Sequence, residues 1–281
     1  LAAEINQYFR PATLDDALAA LASGPWRVLA GGTDIYASKA GPAGQPLLDI
    51  GAVSQLRGIS KIADGWRINA LATWAELIAT PLPRWFEALK GAAREVGGVQ
   101  IQNVASIAGN VCNASPAADG TVALLALDAR IILQSAAGAR EIALADFVTG
   151  PRRIARRADE LVVAIDIPQR SGSARSTFTK LGSRRYLVIS TAIVSIVIDV
   201  NESNIITCAA LAVGALSPKA ERLWALEGEL CGLKRRPDIA RLVEPRHLAG
   251  LAPIDDVRAS KAYRLDAVTS MLKRDLERIA A

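Results

Sequence analysis

The stretch Ser106-Ile107-Ala108-Gly109-Asn110-Val111-Cys112-Asn113-Ala114-Ser115-Pro116-Ala117-Ala118-Asp119-Gly120 gathers small residues around one carboxylate, Asp119. No base and no set of metal ligands stands beside it. Residues this small let another group approach the backbone closely, and Ser106 and Asn110 add side-chain donors. Ser115-Pro116 reads as an N-cap followed by proline at the first helical position, which puts Asp119 in the first turn of a helix. There the carboxylate is either a partner of the helix dipole or an acceptor for the sugar hydroxyls of a nucleotide.

A second small-residue stretch lies earlier, in Val28-Leu29-Ala30-Gly31-Gly32-Thr33-Asp34. A strand feeds a Gly-Gly turn ahead of a predicted helix. Successive N–H groups in such a turn form an anion-binding concavity, and a helix N-terminus adds its dipole. The group best suited to it is a phosphate or pyrophosphate. By itself the stretch reads better as an ordinary turn. Read as two anion-friendly loops, Val28–Asp34 and Ser106–Asn110 together suggest a diphosphate held between two subdomains. Neither has the Gly-x-Gly-x-x-Gly of a Rossmann fold or a Gly-Lys-Ser/Thr phosphate loop. The residues alone stop at a nucleotide binder of neither common type.

Around these stretches the chain reads as mixed helix and strand. Thr13 with Asp16 gives an approximate capping box for a helix over Leu14–Ala22. Short strands follow at Arg27–Ala30 and Pro46–Ile50. A hairpin is predicted from Ile59–Ala63 and Trp66–Ala70 about a turn at Asp64-Gly65. Thr73 caps a helix over Trp74–Ala79, and another helix surrounds Trp85–Val96. An apolar helix Val122–Leu127 leads to a strand Ala129–Gln134, and the strand Glu160–Ile167 is stopped by Pro168. Ser171-Gly172-Ser173 reads as a linker. Beyond it, Thr191–Val200 and Ile205–Val213 form the clearest hairpin, and helices follow near Ala220–Leu230 and over Ser260–Ile279. The fold class is α+β in two domains.

Composition narrows the function. In 281 residues with 51% hydrophobic content, no apolar run reaches the roughly 18 residues that span a bilayer. Leu1–Phe9 carries Glu4, Asn6 and Gln7 where a secretory signal needs an apolar stretch. Three scattered cysteines, Cys112, Cys208 and Cys231, give neither a disulfide framework nor a Cys-x-x-Cys metal site. A reducing, cytoplasmic setting is expected. The single histidine, His247, removes most metal, triad and imidazole proton-transfer schemes and is read as structural. The net charge of +5 has its densest run at Arg152, Arg153, Arg156 and Arg157. No aromatic is interleaved there, as nucleic-acid stacking would require, so the run is read as a solvated face or a protein contact.

The two small-residue stretches together resemble the FAD-binding (medium) subunit of the molybdenum hydroxylases, the xanthine dehydrogenase and carbon monoxide dehydrogenase type. The family's usual pattern is A-G-G-T/H-D/S, then T-I-G-G-N-I-x-x-A-S-P-x-A-D. The likeness extends to Phe9-Arg10-Pro11-Ala12-Thr13-Leu14-Asp15-Asp16-Ala17, Gly150-Pro151-Arg152-Arg153, Asp159-Glu160-Leu161-Val162, Ile165-Asp166-Ile167-Pro168, Lys180-Leu181-Gly182-Ser183-Arg184-Arg185-Tyr186, Asp255-Asp256-Val257-Arg258 and Tyr263-Arg264. Three positions depart from the family. Gln102 stands where Arg is frequent, Ala108 replaces the first Gly of G-G-N, and Val188 stands where many members carry Asp.

The resemblance implies a vanillyl-alcohol-oxidase-type (PCMH) FAD-binding domain over residues 1–172, in subdomains of about 1–56 and 57–172. A C-terminal α+β domain of the CO dehydrogenase flavoprotein type would occupy 173–281. It implies that Leu29, Ala30, Gly31, Gly32, Thr33 and Asp34, with Ser106, Ile107, Gly109 and Asn110, hold the pyrophosphate and ribityl chain. Ser115 and Asp119 would line the adenosine or ribityl side. Ile101 and Leu161, and then Lys180 and Tyr186, would lie near the flavin. No residue of this chain would be catalytic on the organic substrate. A large partner would carry the molybdenum cofactor and a small one two [2Fe–2S] clusters, in a dimer of heterotrimers with no nucleic acid and no membrane span. Two rivals stand beside this reading: a stand-alone FAD oxidase of the same fold, and a non-enzymatic nucleotide-binding protein that has lost the flavin.

Overall fold

The computed structural model describes residues 7–38 and 44–281. The expectation for Leu1–Asn6 lies outside the described residues. Three short strands, β1 (Tyr8–Phe9), β2 (Arg27–Leu29) and β3 (Leu47–Asp49), form a parallel sheet in the order β1-β3-β2. The helix α1 (Leu14–Ser23) connects β1 to β2, and its Thr13 cap accepts from the Asp16 N–H at 3.2 Å. Capping of this kind satisfies a donor that the first helical turn leaves free.

The next sheet is antiparallel. It comprises β4 (Ile59–Ile62), β5 (Gly65–Asn69), β6 (Arg130–Ser135), β7 (Gly138–Ala143) and β10 (Leu161–Pro168), in the order β4-β5-β10-β6-β7. The expected β4–β5 hairpin is present, with Ile62 paired to Gly65. Pro168 ends β10 opposite Gly65, where proline's missing donor is tolerated at a strand terminus. Between β5 and β6 run α2 (Trp74–Ala79), α3 (Glu87–Glu95), α4 (Val99–Val104), α5 (Ile107–Asn113) and α6 (Asp119–Ala126). Thr73 and Glu76 complete a capping box on α2. A four-residue helix α7 (Leu144–Phe147) and the small hairpin β8 (Val148–Gly150) and β9 (Arg153–Ile154) lead back to β10.

The remaining sheet is β11 (Arg175–Leu181), β12 (Ala192–Val200), β13 (Ile206–Gly214) and β14 (Glu221–Arg222), antiparallel in that order. Every residue of β12 is buried. Its run is apolar without polar alternation because both faces are covered. Ile193 and Val197 join the core shared with α6, whereas Val194, Ile196 and Ile198 pack with α8 (Trp224–Leu230) and α9 (Lys261–Ala280).

Four expectations need correction. Thr33–Ser38 forms turns, not a helix: a single turn is closed by the Tyr36 N–H on the Gly32 carbonyl at 3.0 Å. Ser106–Asn110 is not a loop, because Ser106 caps α5 through the Gly109 N–H. Ser115-Pro116 does not start a helix. Ala114 ends α5 at φ 46°, the Ala118 N–H closes a turn on the Ser115 carbonyl at 3.1 Å, and α6 begins at Asp119. Nor is Ser171-Gly172-Ser173 a free linker. Asp199 accepts from the Ser171 N–H at 3.2 Å and from the Ser173 hydroxyl at 2.9 Å, which makes it a fixed corner.

Asp275, on α9, is fully buried and accepts from Thr179 Oγ1 at 2.9 Å, with Arg278 at 3.3 Å. Its other oxygen has no partner. Burial pushes this carboxyl above its ordinary value, against the pull of Thr179 and Arg278. A carboxyl raised in the folded state costs stability as pH rises through its unfolded and then its folded value. Asp275→Asn is therefore expected to gain stability relative to the parent as pH rises from 4 to 8. Thermal denaturation at both pH values measures the difference, and a variant destabilised equally at both would contradict it.

Candidate cofactor-binding cleft

The chain leaves β2 at Ala30 and crosses the α4–α5 junction at Gly31. A side chain at Gly31 would collide with the Val104 carbonyl, so only glycine fits this crossing. Gly32 sits at φ 71° beneath the Tyr36 ring. Among the described residues, nothing accepts a hydrogen bond from the N–H groups of Gly31, Gly32, Thr33 or Asp34. None of the four residues is fully buried, so these consecutive donors are open to water or to a ligand that enters the cleft.

Helix α5 forms the adjoining wall. Its apolar side, Ile107, Ala108 and Val111, is buried in the core, and Ser106 accepts from the Gly109 N–H at 3.1 Å. Ala108 lies within the helix and has no positive φ, so alanine replaces glycine there without strain. Asn110 turns to the cleft with its Oδ1 buried and unpartnered. At Gly120, the first turn of α6 lies against the Trp74 ring, where a side chain would clash.

Asp119 and Lys180 meet across two units of the fold. Side chains alternate along β11, so Thr179 reaches Asp275 on α9 while Lys180 points the other way, toward α6. Lys180 Nζ lies 2.7 Å from Asp119 Oδ2, and Ser190 Oγ donates to Asp119 Oδ1 at 2.6 Å. Lys180 also approaches the Glu95 carbonyl at 3.4 Å. Burial pushes the Asp119 carboxyl up, while Lys180 and Ser190 pull it down without fully offsetting the desolvation. The carboxylate expected to receive sugar hydroxyls thus has both oxygens engaged by the protein.

These walls enclose a cleft of about 1380 Å³. Of the residues expected at the site, Ala30, Gly31, Gly32, Thr33, Asp34, Ile101, Ser106, Gly109, Asn110, Ser115, Asp119, Leu161 and Lys180 line it. Leu29 and Ile107 are buried behind its wall. Tyr186 is 63% exposed outside it and stacks under Arg185, while Val188 and Ile189 line the cleft from the same segment. Gln102 anchors α4 by donating to the Val96 carbonyl at 3.2 Å and the Arg94 carbonyl at 3.3 Å.

Sequence reading missed several lining residues, among them Trp26, Gly97, Cys112, Arg152 and Arg156. The arginine run is not one face: Arg153 and Arg157 point to solvent, whereas Arg152 and Arg156 border the cleft. The signal for this division was the β8–β9 hairpin, too short to show a period. Burial pushes the Cys112 thiol up to about 11, so it is neutral and unreactive at physiological pH. His247 caps a turn, accepting from the Glu244 N–H at 3.1 Å, away from the cleft. Among the described residues, no cluster of metal-ligating side chains occurs and no helix is long and apolar enough to cross a membrane.

Breaking the buried Asp119–Lys180 pair strands a charge. Asp119→Ala is expected to lower unfolding stability by about 3–5 kcal/mol, because Lys180 is left desolvated and unpaired. Asp119→Ala/Lys180→Met should recover most of that loss in chemical denaturation. A single variant as stable as the parent would show that the pair contributes nothing.

Comparison with known proteins agrees with this geometry. Residues 3–170 match the FAD binding domain in molybdopterin dehydrogenase, and residues 177–279 match the CO dehydrogenase flavoprotein C-terminal domain. The chain is 31% identical over 284 residues to a xanthine dehydrogenase FAD-binding subunit of Escherichia coli O157:H7, covering 99% of this chain and 97% of that one. It is 28% identical to the nicotinate dehydrogenase FAD-subunit of Eubacterium barkeri, covering 95% and 94%. The structure of reconstituted CO dehydrogenase from Oligotropha carboxidovorans superposes with a TM-score of 0.87 at 25% identity, over 100% of this chain and 99% of that one. The chain belongs to the family of FAD-binding subunits of the molybdenum hydroxylases.

Proposed function

We propose that the cleft holds FAD with its diphosphate on the Gly31–Asp34 turn, and that the chain relays electrons between an iron–sulfur partner and an external acceptor. The observation that carries this reading is the row of four unpartnered N–H groups beside a glycine that admits no side chain. Such a row fits a diphosphate, which brings many acceptor oxygens and little bulk. The buried, unpartnered Asn110 Oδ1 fits a ligand hydroxyl. Trp26 and Leu161 offer apolar lining for a flat ring system.

The chemistry that the flavin supplies is electron transfer, one or two electrons at a time; the chain supplies binding, orientation and charge. Lys180 reaches the cleft already paired with Asp119, so this corner presents a nearly neutral dipole, not a free cation. Lys180 is held by Asp119 and the Glu95 carbonyl, and Asp119 in turn by Ser190, which suits a group that must not reorganise as charge on a neighbouring ring changes. Cleft-facing Ile189 and Val188 would exclude water from that corner.

The partners we assign are a large molybdenum-cofactor subunit and a small subunit with two [2Fe–2S] clusters, in a cytoplasmic dimer of heterotrimers. Two relatives carry names that fit such an assembly, the nicotine 6-hydroxylase medium subunit and the carbon monoxide dehydrogenase medium chain. We place the division between an FAD domain and a C-terminal domain at residues 172–173, next to the corner held by Asp199.

Two outcomes follow. The full chain should purify yellow or take up FAD stoichiometrically after refolding; a chain that takes up none under any condition would overturn the reading. Gly31→Ala should retain far-ultraviolet circular dichroism but lose FAD at least about a hundredfold, since the α4–α5 junction must shift away from the turn. Equilibrium titration by flavin fluorescence measures it, and undiminished affinity would remove the turn from the site.

A further inference from the structure

Arg152 and Arg156 differ from the other cations that the fold places nearby. Arg140 and Arg157 are both paired with Glu160, and Lys180 with Asp119. Among the described residues, no carboxylate lies within ion-pair distance of Arg152 or Arg156. Of the carboxylates nearby in sequence, Asp146 and Asp159 make no ion pair among the described residues, and Glu160 is fully claimed. Arg140 binds both its oxygens, at 2.6 and 2.8 Å, and the Arg157 N–H donates to it at 2.7 Å. Cys112, beside Arg156, is a neutral thiol and supplies no counter-charge.

Each guanidinium is nonetheless held in place. Arg156 Nη1 donates to the Glu160 carbonyl at 2.5 Å and to the Ala158 carbonyl at 3.4 Å. Arg152 Nη1 donates to the Asn113 side chain and to its carbonyl at 3.3 Å. Only Nη1 of each is used, which leaves the rest of the five-donor fork free on a residue that borders the cleft. A guanidinium oriented by backbone carbonyls, with open donors and no counter-ion, is suited to an oxyanion brought by a ligand.

We propose that Arg152 and Arg156 are the counter-charge for the diphosphate of the dinucleotide in this cleft, and so decide how tightly it is retained. The inference rests on the reading of the cleft as the FAD site. The Gly31–Asp34 turn offers directed N–H donors but only partial charge, whereas the dinucleotide carries net negative charge. With Lys180 neutralised by Asp119, these two arginines add full positive charges to the side of the cleft away from Arg27, which also borders it and donates to Gln45 at 3.2 Å.

The test is equilibrium FAD binding to the full apo-chain, for the parent and for Arg156→Gln, Arg156→Lys, Arg152→Gln and Arg152→Lys, each at low and high salt. The glutamine variants should weaken FAD about tenfold to a hundredfold per residue, the scale of a charge-assisted hydrogen bond. Lysine should restore most of the loss, and the glutamine variants should show a shallower dependence of affinity on ionic strength than the parent. A structural role would not move the salt dependence. Parent-like FAD affinity in both glutamine variants overturns the inference while leaving the FAD reading intact. So does equal loss in lysine and glutamine variants with an unchanged salt slope. A parent chain that binds no FAD overturns both.

Discussion

The Lys180–Asp119 ion pair is the constraint on which the arrangement of the cleft depends. Its partners come from β11 of the last sheet and the first residue of α6, and both side chains are more than nine-tenths buried. Removing two charges from water costs several kcal/mol per ion, and attraction at 2.7 Å offsets this only when further hydrogen bonds complete the site. Ser190 and the Glu95 carbonyl provide them, from a third and a fourth segment. The upward displacement of the Asp119 carboxyl shows that desolvation still prevails. The pair is thus poor evidence for stability and better evidence of positioning, since perturbed ionisable groups gather at functional sites. It forms only when the last sheet is docked, so the cleft is completed by a part of the chain remote from both glycine-rich motifs.

The glycine turn and the α5 wall of the cleft are built from backbone and small residues. Gly31 and Gly32 bring the chain against the α4–α5 junction, and the small residues of α5 keep the adjoining wall thin. On these two walls no thiolate or imidazole is at hand: Cys112 is held neutral and His247 is elsewhere. A wall of backbone donors cannot ionise, so its grip on an anion is insensitive to pH and to the charge on a neighbouring redox group. That property suits an electron relay better than a site that must gain and lose protons.

Where the sequence carried a strong local signal, the fold was legible. The β4–β5 and β12–β13 hairpins, the Thr73 cap and the long α9 all follow from turn residues, caps and period. The glycine turn was legible as a turn, because Gly-Gly after a strand marks a place of positive φ and close approach. Helix α5 was not, because in seven residues with only Ile107 and Val111 as larger apolar side chains there is too little amphipathic contrast to mark a period. The left-handed Ala114 was invisible for a different reason. Nothing in an alanine marks φ 46°, yet that residue turns Ser115-Pro116 into a β-turn and delays α6 until Asp119. Leu29, Ile107 and Tyr186 were drawn into the expected site by their place in a motif, although two are wall and one is outside. The arginine run was misread as a whole because Arg152 and Arg156 are sorted from Arg153 and Arg157 by a hairpin only a few residues long.

One family match ends at residue 170 and the other begins at residue 177, but the core does not follow that division. The two faces of β13 show why. Leu211 and Val213 face α8 and α9, whereas Ala210 and Ala212 join the core of the first part of the chain. Gly214 continues the small face, and a side chain there would strike Val122 of α6. Large residues on one face and small ones on the other let α6, buried along its whole length, lie close to the sheet. That closeness sets the distance between the first residue of α6 and the end of β11. An added methylene at Ala212 would cost about 1–3 kcal/mol as overpacking, but its larger effect would be geometric. Shifting α6 outward by a fraction of an ångström lengthens the Lys180–Asp119 contact while both charges stay buried, and the offset against desolvation weakens. The small face of a C-terminal strand therefore governs the electrostatics of a cleft whose anion-binding motifs lie entirely in the N-terminal part.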